Sequence, residues 1–281
     1  MAVSPNIDRE LEALAAAGAV VLRPQEQRGR WREQHGSRFE HVHLDYGCGM
    51  GDYCVEAAVR DASTLFIGLD VELFCIADAA QKALDAGVSN ALFAAVPRDS
   101  GAAELPRFFA PAELDSISIN FPTPHARAAN AKLRMTHVDA LMAYRKILAP
   151  DGLLHFKTDS QPLWDYSLVQ FELAGYAITW RDDAGDKRRD PSPITGYERR
   201  LAAQGARILE LEARPLEPAP DPADLQQTAP QSLYDYLPQD LESLTYIPAD
   251  MRHSVQNMIE ARARVARLRA ARAAHAPRSD A

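Results

Sequence analysis

HVHLDYGCGMG, residues 41–51, is a short apolar run that leads directly into three alternating glycines. The run HVHLDY has the length and apolar content of a buried strand. Glycines directly after a first strand let the backbone turn tightly and approach a bound ligand closely. A glycine loop that only makes a tight turn has the same sequence pattern. A ligand site therefore needs further evidence from elsewhere in the chain.

A second apolar run, TLFIGLDV (residues 64–71), contains Asp70 near its end, nineteen residues after Gly51. In a doubly wound sheet, an acid after the second strand can accept hydrogen bonds from both ribose hydroxyls. The two runs therefore predict a nucleoside-containing cofactor, with these candidate residues: Asp45, Gly47, Gly49, Gly51 and Asp70. The spacing G-x-G-x-G, followed at once by Asp52, opposes a pyrophosphate and suits a cationic ligand. It favours S-adenosylmethionine over a nicotinamide dinucleotide.

Further apolar runs alternate with helical patterns along the chain. The next strand candidates are ALFAAV (91–96), SISINF (116–121) and LLHFKT (153–158). Apolar residues recur at helical spacing over residues 72–87, 132–148 and 160–173. Such alternation predicts an α/β fold with a doubly wound, mostly parallel sheet. AITW (177–180) and ARILELEA (206–213) have no long crossover helix between them, which predicts an antiparallel pair at one edge of the sheet.

Composition limits the class of protein. The 281 residues are 47% hydrophobic and 25% charged, which is ordinary for a soluble globular protein. No apolar run approaches the roughly 18 residues of a membrane span, and the first residues lack the basic start of a signal peptide. Cys48, Cys54 and Cys75 have no paired metal-ligand spacing. We therefore expect a cytoplasmic protein without a metal centre or a membrane segment.

The chain changes character after the last strand candidate. Residues 215–230 contain five prolines, and residues 208–250 carry nine acids and one arginine, a net charge of −8. These features predict a Pro-rich acidic linker over residues 215–248. Residues 249–281 are predicted to be a basic helical tail, because residues 251–281 carry seven arginines and two acids. The tail could pack on the core or on a second subunit, or it could contact nucleic-acid phosphates.

Several motifs follow one another in a fixed order between about residues 25 and 214. They are RGRW, DYGCGMG, FIGLDV, NFPTPHARAANAKLR, GLLHFKTDSQPLWDYSL and PITGYERRLAAQGARILELE. In these motifs the chain resembles the bacterial tRNA (guanine-N7)-methyltransferases. The resemblance implies a Rossmann-like class I methyltransferase domain over residues 1–214. It also implies S-adenosylmethionine as the cofactor and nitrogen-7 of a guanine in tRNA as the methyl acceptor.

By this resemblance NFPTPHARAANAKLR, residues 120–134, is the substrate loop, and it departs from the family pattern. Thr123 stands where the family has its catalytic Asp, and His125 stands where the family has Trp. Of seven usually basic positions that follow, three remain basic: Arg127, Lys132 and Arg134. Threonine accepts a hydrogen bond but supplies no negative charge, so the departure at Thr123 predicts weakened catalysis.

By the same resemblance, four positions are expected to contact the substrate: Arg127, Asp159, Thr195 and Glu198. Thr195 and Glu198 also have the spacing of a capping box, and an acid at a strand end can cap the next helix. A further departure is Pro97, which aligns with the family's acid near the adenine of the cofactor. Asp99, two residues later, is the candidate substitute.

Three functions remain open at this level. The first is an enzyme that methylates guanine in tRNA. The second is a methyltransferase-like protein that keeps the cofactor site and acts as an RNA-binding or regulatory module. The third is a methyltransferase with another substrate, because a fold does not determine its substrate. We expect tRNA as the partner and either a monomer or a homodimer.

Overall fold

The structure is a computed structural model that describes residues 5–35, 39–98, 101–187 and 193–274. Within these ranges the strands are β1 (His41–Tyr46), β2 (Thr64–Asp70), β3 (Ala91–Ala95), β4 (Leu114–Asn120), β5 (Leu148–Thr158), β6 (Tyr176–Asp182) and β7 (Leu209–Pro215). The α-helices are α1 (Pro5–Ala16), α2 (Trp31–Gln34), α3 (Asp52–Arg60), α4 (Leu73–Asp85), α5 (Val138–Arg145), α6 (Gln161–Leu173), α7 (Gly196–Ala203) and α8 (Arg252–Ala274). The strands that the sequence predicts are confirmed.

The strands form one sheet in the order β3-β2-β1-β4-β5-β7-β6. The pairs from β3 to β5 are parallel, whereas β7 is antiparallel to both β5 and β6. The doubly wound, mostly parallel sheet and the antiparallel pairing of the last two strands are therefore confirmed. The strand order reverses between β1 and β4, and this reversal opens a crevice at the carboxyl ends of the strands.

Both faces of the sheet are covered, because successive side chains of each strand point to opposite faces. Phe66 of β2 and Phe93 of β3 pack with α1, α3 and α4 on one face. Their neighbours Ile67 and Leu92 belong to the larger core, to which α5 and α6 contribute on the other face. Burial on both faces explains why the central strands are almost continuously apolar in sequence.

The end of β4 differs from the prediction. The run SISINF was expected to remain a strand through Phe121, but β4 ends at Asn120. Phe121 has a φ of 51°, in the left-handed region that a bulky side chain seldom adopts. The strand therefore ends one residue early, and the backbone turns sharply into the substrate loop.

The helix predicted over residues 132–148 is wrong in its first part. A short 3₁₀ helix covers Ala128–Leu133, and α5 begins only at Val138. Between them, buried Thr136 hydrogen-bonds Ser167 of α6 at 2.7 Å. Packing against α6 thus replaces helical structure over these residues, although the apolar spacing looks helical.

The C-terminal segment, residues 216–251, packs on the body of the protein. Leu233, Leu241 and Met251 are buried in the larger core. The side-chain amides of Gln227 and Gln170, on α6, also pair at 2.7 and 2.9 Å. The sequence prediction of a linker did not include this packing, because the apolar partners are distant in sequence. The division of the chain into domains stays a prediction.

Helix α8 packs on the core through its first half, where Met258 and Ile259 are partly buried and Arg262 donates to the carbonyl oxygen of Gln239. Val255 is fully buried, whereas Val265 and Leu268 are 47% and 56% exposed. Four arginines from the middle of the helix onward are exposed: Arg262, Arg264, Arg267 and Arg269. Throughout the ranges given above, no helix combines the length and apolar character needed to cross a membrane.

Candidate active site

The glycine loop after β1 is shaped by contacts with β2 and α4. Gly47 donates its N–H to the carbonyl oxygen of Leu69 at 2.8 Å. Gly51 has a φ of 71° and is the N-cap of α3. A side chain at Gly51 would place its Cβ 2.5 Å from the Cβ of Ala79 in α4. Gly51 therefore lets α3 and α4 pack closely, while Gly47 and Gly49 line a cavity.

Asp70, at the end of β2, approaches the glycine loop from the other side. Its Oδ2 accepts a hydrogen bond from the N–H of Gly49 at 2.9 Å, and its Oδ1 accepts one from the N–H of Glu72 at 2.9 Å. Each oxygen keeps a further position for an acceptor bond. Asp70 lines a cavity of about 580 Å³ that has apolar walls at Val71 and Val96. Two acceptors beside an apolar wall suit a ribose and its base.

Asp45, near the end of β1, is only 1% exposed. Its Oδ1 accepts a hydrogen bond from Nδ2 of Asn120 at 3.1 Å, and its Oδ2 accepts one from the thiol of Cys54 at 3.6 Å. Burial raises the pKa of Asp45 to about 7; these two hydrogen bonds oppose the rise, and the charge of Asp70 adds to it. Asp45 borders a second cavity, of about 380 Å³. A cationic ligand there would stabilise the ionised carboxylate.

The two cavities adjoin at the carboxyl ends of β1 and β4. Gly47, Asn120 and Phe121 line both of them. This is the point at which the strand order reverses, where ligands of open α/β sheets bind. Asn120 was not among the candidates from sequence. A polar residue at the end of an apolar strand is the signal that could have identified it.

Thr195 and Glu198 lie at the start of α7, on the wall of the 380 Å³ cavity. Thr195 is the N-cap of this helix, and its Oγ1 accepts a hydrogen bond from the N–H of Glu198 at 3.1 Å. The buried carboxylate of Glu198 lies 3.4 Å from Nζ of Lys157, which lies 3.6 Å from Oε1 of Glu210. One of the two hydrogen bonds of a capping box is therefore present, from the N–H of Glu198 to Thr195. The side chain of Glu198 belongs to a buried cluster of charges. Lys157 was not among the candidates from sequence. A lysine within the predicted strand LLHFKT is the signal that could have identified it.

The substrate loop has a strained backbone. Phe121 and His125 have φ angles of 51° and 49°, and strain of this kind is concentrated at functional sites. Thr123 is exposed on the wall of the 580 Å³ cavity that Asp70 also lines. Burial lowers the pKa of His125, and the nearby Arg134 lowers it further; both effects favour the neutral imidazole. Arg127 is exposed to solvent.

Arg134 is a structural residue of this loop. It is 1% exposed, and its guanidinium lies 4.4 Å from the ring centre of Tyr166. Its Nη2 donates to the carbonyl oxygens of His125 at 2.9 Å and Gln231 at 2.7 Å. Arg134 therefore joins the strained loop to the C-terminal segment and does not present its charge to a ligand in solution.

Asp159 lines neither of the two cavities that Asp45 and Asp70 border. It follows β5 and lines a third cavity, of about 390 Å³, together with Tyr246 of the C-terminal segment. The hydroxyl of Tyr246 donates to Oδ2 of Asp159 at 2.5 Å. Sequence patterns gave no signal for Tyr246. Asp99, the substitute candidate near the adenine, lies outside the described residues.

Comparison with known proteins identifies the family. A family model described as "Putative methyltransferase" matches residues 40–211. The tRNA (guanine-N(7)-)-methyltransferase of Lactococcus lactis subsp. cremoris (strain MG1363) is 35% identical over 203 residues, which are 70% of this chain and 90% of that protein. The protein of the same name from Geobacillus kaustophilus (strain HTA426) is 32% identical over 195 residues, which are 69% of this chain and 88% of that protein. The chain belongs to the tRNA (guanine-N7)-methyltransferase family.

The part that matches the methyltransferase family model ends within β7, at residue 211. The C-terminal segment and α8 follow this point in the chain. Two residues inside the matched part, Arg134 and Asp159, are nevertheless hydrogen-bonded to Gln231 and Tyr246 outside it. In this tRNA (guanine-N7)-methyltransferase family member, the loops after β4 and β5 therefore contact a segment beyond the matched region.

Proposed function

We propose that the protein transfers a methyl group from S-adenosylmethionine to nitrogen-7 of a guanine in tRNA. The names of the relatives support both the reaction and the substrate class. The observation that carries the proposal is the pair of adjoining cavities, with Asp45 beside one and Asp70 beside the other.

The direct experiment is incubation of the protein with methyl-labelled S-adenosylmethionine and an unmodified tRNA transcript. We expect label in the RNA. Absence of label from a protein that binds the cofactor in calorimetry would instead favour a methyltransferase-like RNA-binding module.

The residues present fit this cofactor. The two oxygens of Asp70 suit the ribose diol, and the apolar wall at Val71 and Val96 suits the adenine. The space around Gly49 is open where a side chain would be, so a ligand can approach the backbone. The buried Asp45 suits the positively charged methionine end. When bound, S-adenosylmethionine supplies an electrophilic methyl group on a sulfonium.

Positioning is the main requirement of this reaction. Nitrogen-7 of neutral guanine has a lone pair and carries no proton, so no general base has to act first. Positioning two reactants can lower a barrier by roughly 7–11 kcal/mol in the best cases. In the proposal, Asp45, Asp70 and the glycine loop hold the methyl donor. Four residues hold the acceptor: Arg127, Asp159, Thr195 and Glu198.

The placement of Thr195, Glu198 and Arg127 supports their roles, whereas Asp159 lines a separate cavity. Thr195 and Glu198 line the same cavity as Asp45, so they can reach a ligand that Asp45 also contacts. Arg127 is exposed and can pair with a phosphate oxygen of RNA. That the exposed arginines of α8 add phosphate contacts remains a prediction, as does a monomeric or homodimeric state.

The pKa of Asp45 gives a pH dependence for cofactor binding. A carboxyl with a pKa of about 7 is mostly protonated at pH 6 and half ionised at pH 7, and only the ionised form attracts a cation. Affinity for S-adenosylmethionine should therefore rise about fivefold from pH 6 to pH 7. Calorimetry at pH 6.5 in buffers of different ionisation enthalpy should also detect proton release on binding.

Asp45→Asn should remove both the proton release and the rise in affinity, because the amide does not titrate. Asp85→Asn is the matched control, since Asp85 is exposed at the end of α4. If Asp45→Asn releases as many protons as the wild type, another group is responsible and Asp45 has no such role.

Restoring the family acid should increase the rate of methylation. Thr123→Asp places a carboxylate on the wall of the cavity that also contains Asp70, where its charge can balance the positive charge that develops on guanine. We expect an increase on the order of 10²-fold, comparable to the cost of losing one such group in other enzymes. The measurement is the initial rate of label transfer at saturating cofactor.

Thr123→Asn is the matched control, because it has the size of aspartate without the charge. The Asn variant should stay within a few-fold of the wild type. Equal rates for the Asp and Asn variants would show that a charge at residue 123 does not assist the reaction.

A further inference from the structure

The C-terminal segment is hydrogen-bonded to the substrate loop at two points. The N–H of Leu233 donates to the carbonyl oxygen of Ala126 at 2.9 Å. The guanidinium of Arg134 donates to the carbonyl oxygen of Gln231 at 2.7 Å. Because Leu233 is itself buried in the core, these contacts fix the position of the segment beside the carboxyl end of the sheet.

Tyr246 is the point at which this segment reaches a candidate substrate residue. Its half-buried hydroxyl donates to Oδ2 of Asp159 at 2.5 Å. Burial and the carboxylate of Asp159 both raise the pKa of Tyr246, so the hydroxyl stays a donor at neutral pH. In the described part of the chain, no other residue hydrogen-bonds Asp159. Its Oδ1 is therefore placed to accept a hydrogen bond from a ligand.

The surroundings of this carboxylate suit a nucleobase. The cavity that Asp159 and Tyr246 line has apolar walls at Leu244 and Ile247. Tyr197 of α7 lies close enough for the charge of Asp159 to raise the pKa of its phenol. Asp250 also lies close enough for the charge of Asp159 to raise its pKa. A carboxylate beside aromatic and apolar side chains fits a base edge with N–H donors. Guanine has such donors at its ring N1 and its exocyclic amine.

We infer that Tyr246 is a positioning residue of the substrate site and acts through Asp159. Its hydroxyl holds one carboxylate oxygen, so that the other faces the N–H donors of the guanine. The inference rests on the proposed function, in which Asp159 contacts the substrate. It adds that this chain completes its substrate site with a residue outside the part matched by the family model. If Tyr246 instead blocked an acceptor oxygen that the RNA needs, removing its hydroxyl would strengthen RNA binding.

The variant Tyr246→Phe removes the hydroxyl and keeps the ring. We expect the KM for an unmodified tRNA transcript to rise about tenfold, the loss of roughly one hydrogen bond to a charged group. The kcat should change less, and the Kd of S-adenosylmethionine and the Tm should equal those of the wild type. Tyr234→Phe is the matched control, because Tyr234 belongs to the same segment and packs against the core. A purely structural role for Tyr246 would lower the Tm and weaken cofactor binding, which would contradict the inference.

A double variant tests whether Tyr246 acts through Asp159. If it does, Tyr246→Phe has no further effect in the Asp159→Asn background. The Kd of the transcript, measured by fluorescence anisotropy, gives a readout that needs no turnover. If Asp159→Asn raises this Kd while Tyr246→Phe leaves it unchanged or lowers it, the inference is wrong and the proposed function stands. If Asp159→Asn changes neither Kd nor KM, the substrate role of Asp159 fails, and the inference fails with it.

Discussion

Replacing Asp70 by alanine should weaken the binding of S-adenosylmethionine by about 3 kcal/mol, roughly a 100-fold increase in Kd. The ribose diol loses both of its charged acceptors. The N–H groups of Gly49 and Glu72, which the carboxylate binds at 2.9 Å, lose theirs as well. The glycine loop then has less support, which adds to the loss. Isothermal titration calorimetry measures the effect directly.

Asp85→Ala is the control for this substitution. Asp85 is exposed on α4, where it accepts a hydrogen bond from Gln81 in its own helix at 2.8 Å. Its removal should leave the cofactor affinity unchanged. An unchanged Kd in Asp70→Ala, in a protein with the Tm of the wild type, would remove Asp70 from the cofactor site.

Replacing Lys157 by methionine should destabilise the protein by about 3–5 kcal/mol, because removing one member of a buried ion pair leaves buried negative charge. Nζ of Lys157 lies 3.4 Å from Glu198 and 3.6 Å from Glu210, and all three side chains are buried. At about 2–4 °C per kcal/mol for a protein of this size, the Tm should fall by roughly 10 °C. Differential scanning calorimetry checks the shift.

Lys146→Met is the control, because Lys146 is exposed and such substitutions usually change the stability by less than about 0.5 kcal/mol. A second variant, Lys157→Met with Glu198→Gln, should recover part of the loss, since the amide removes one of the buried charges. If Lys157→Met melts at the temperature of the control, the cluster is not important for folding.

The site residues at the ends of predicted strands could be located from the sequence alone. Asp45 and Asp70 stand at the ends of apolar runs, and parallel strands bring their carboxyl ends to one edge of the sheet. The predicted sheet therefore placed both acids beside the glycine loop. The position of β7 between β5 and β6 could not be derived in this way, because strand patterns specify the strands and not their order.

Contacts between distant segments were beyond the sequence patterns. Arg134 has the appearance of a loop cation, yet it is buried against Tyr166 and bonded to Gln231, 97 residues later. Tyr246 lies in a stretch with the composition of a linker and reaches Asp159, 87 residues earlier. Local periodicity and charge carry no information about such pairs, which depend on the finished fold.

This chain should methylate nitrogen-7 of guanine in tRNA despite having Thr123 in place of the family Asp. Mass spectrometry of nucleosides is the most direct test of this activity. Unmodified tRNA transcript is incubated with the protein and S-adenosylmethionine and is then digested. We predict 7-methylguanosine, formed faster by Thr123→Asp and absent without the cofactor. A different methylated nucleoside, or none from either protein despite cofactor binding, would contradict the claim.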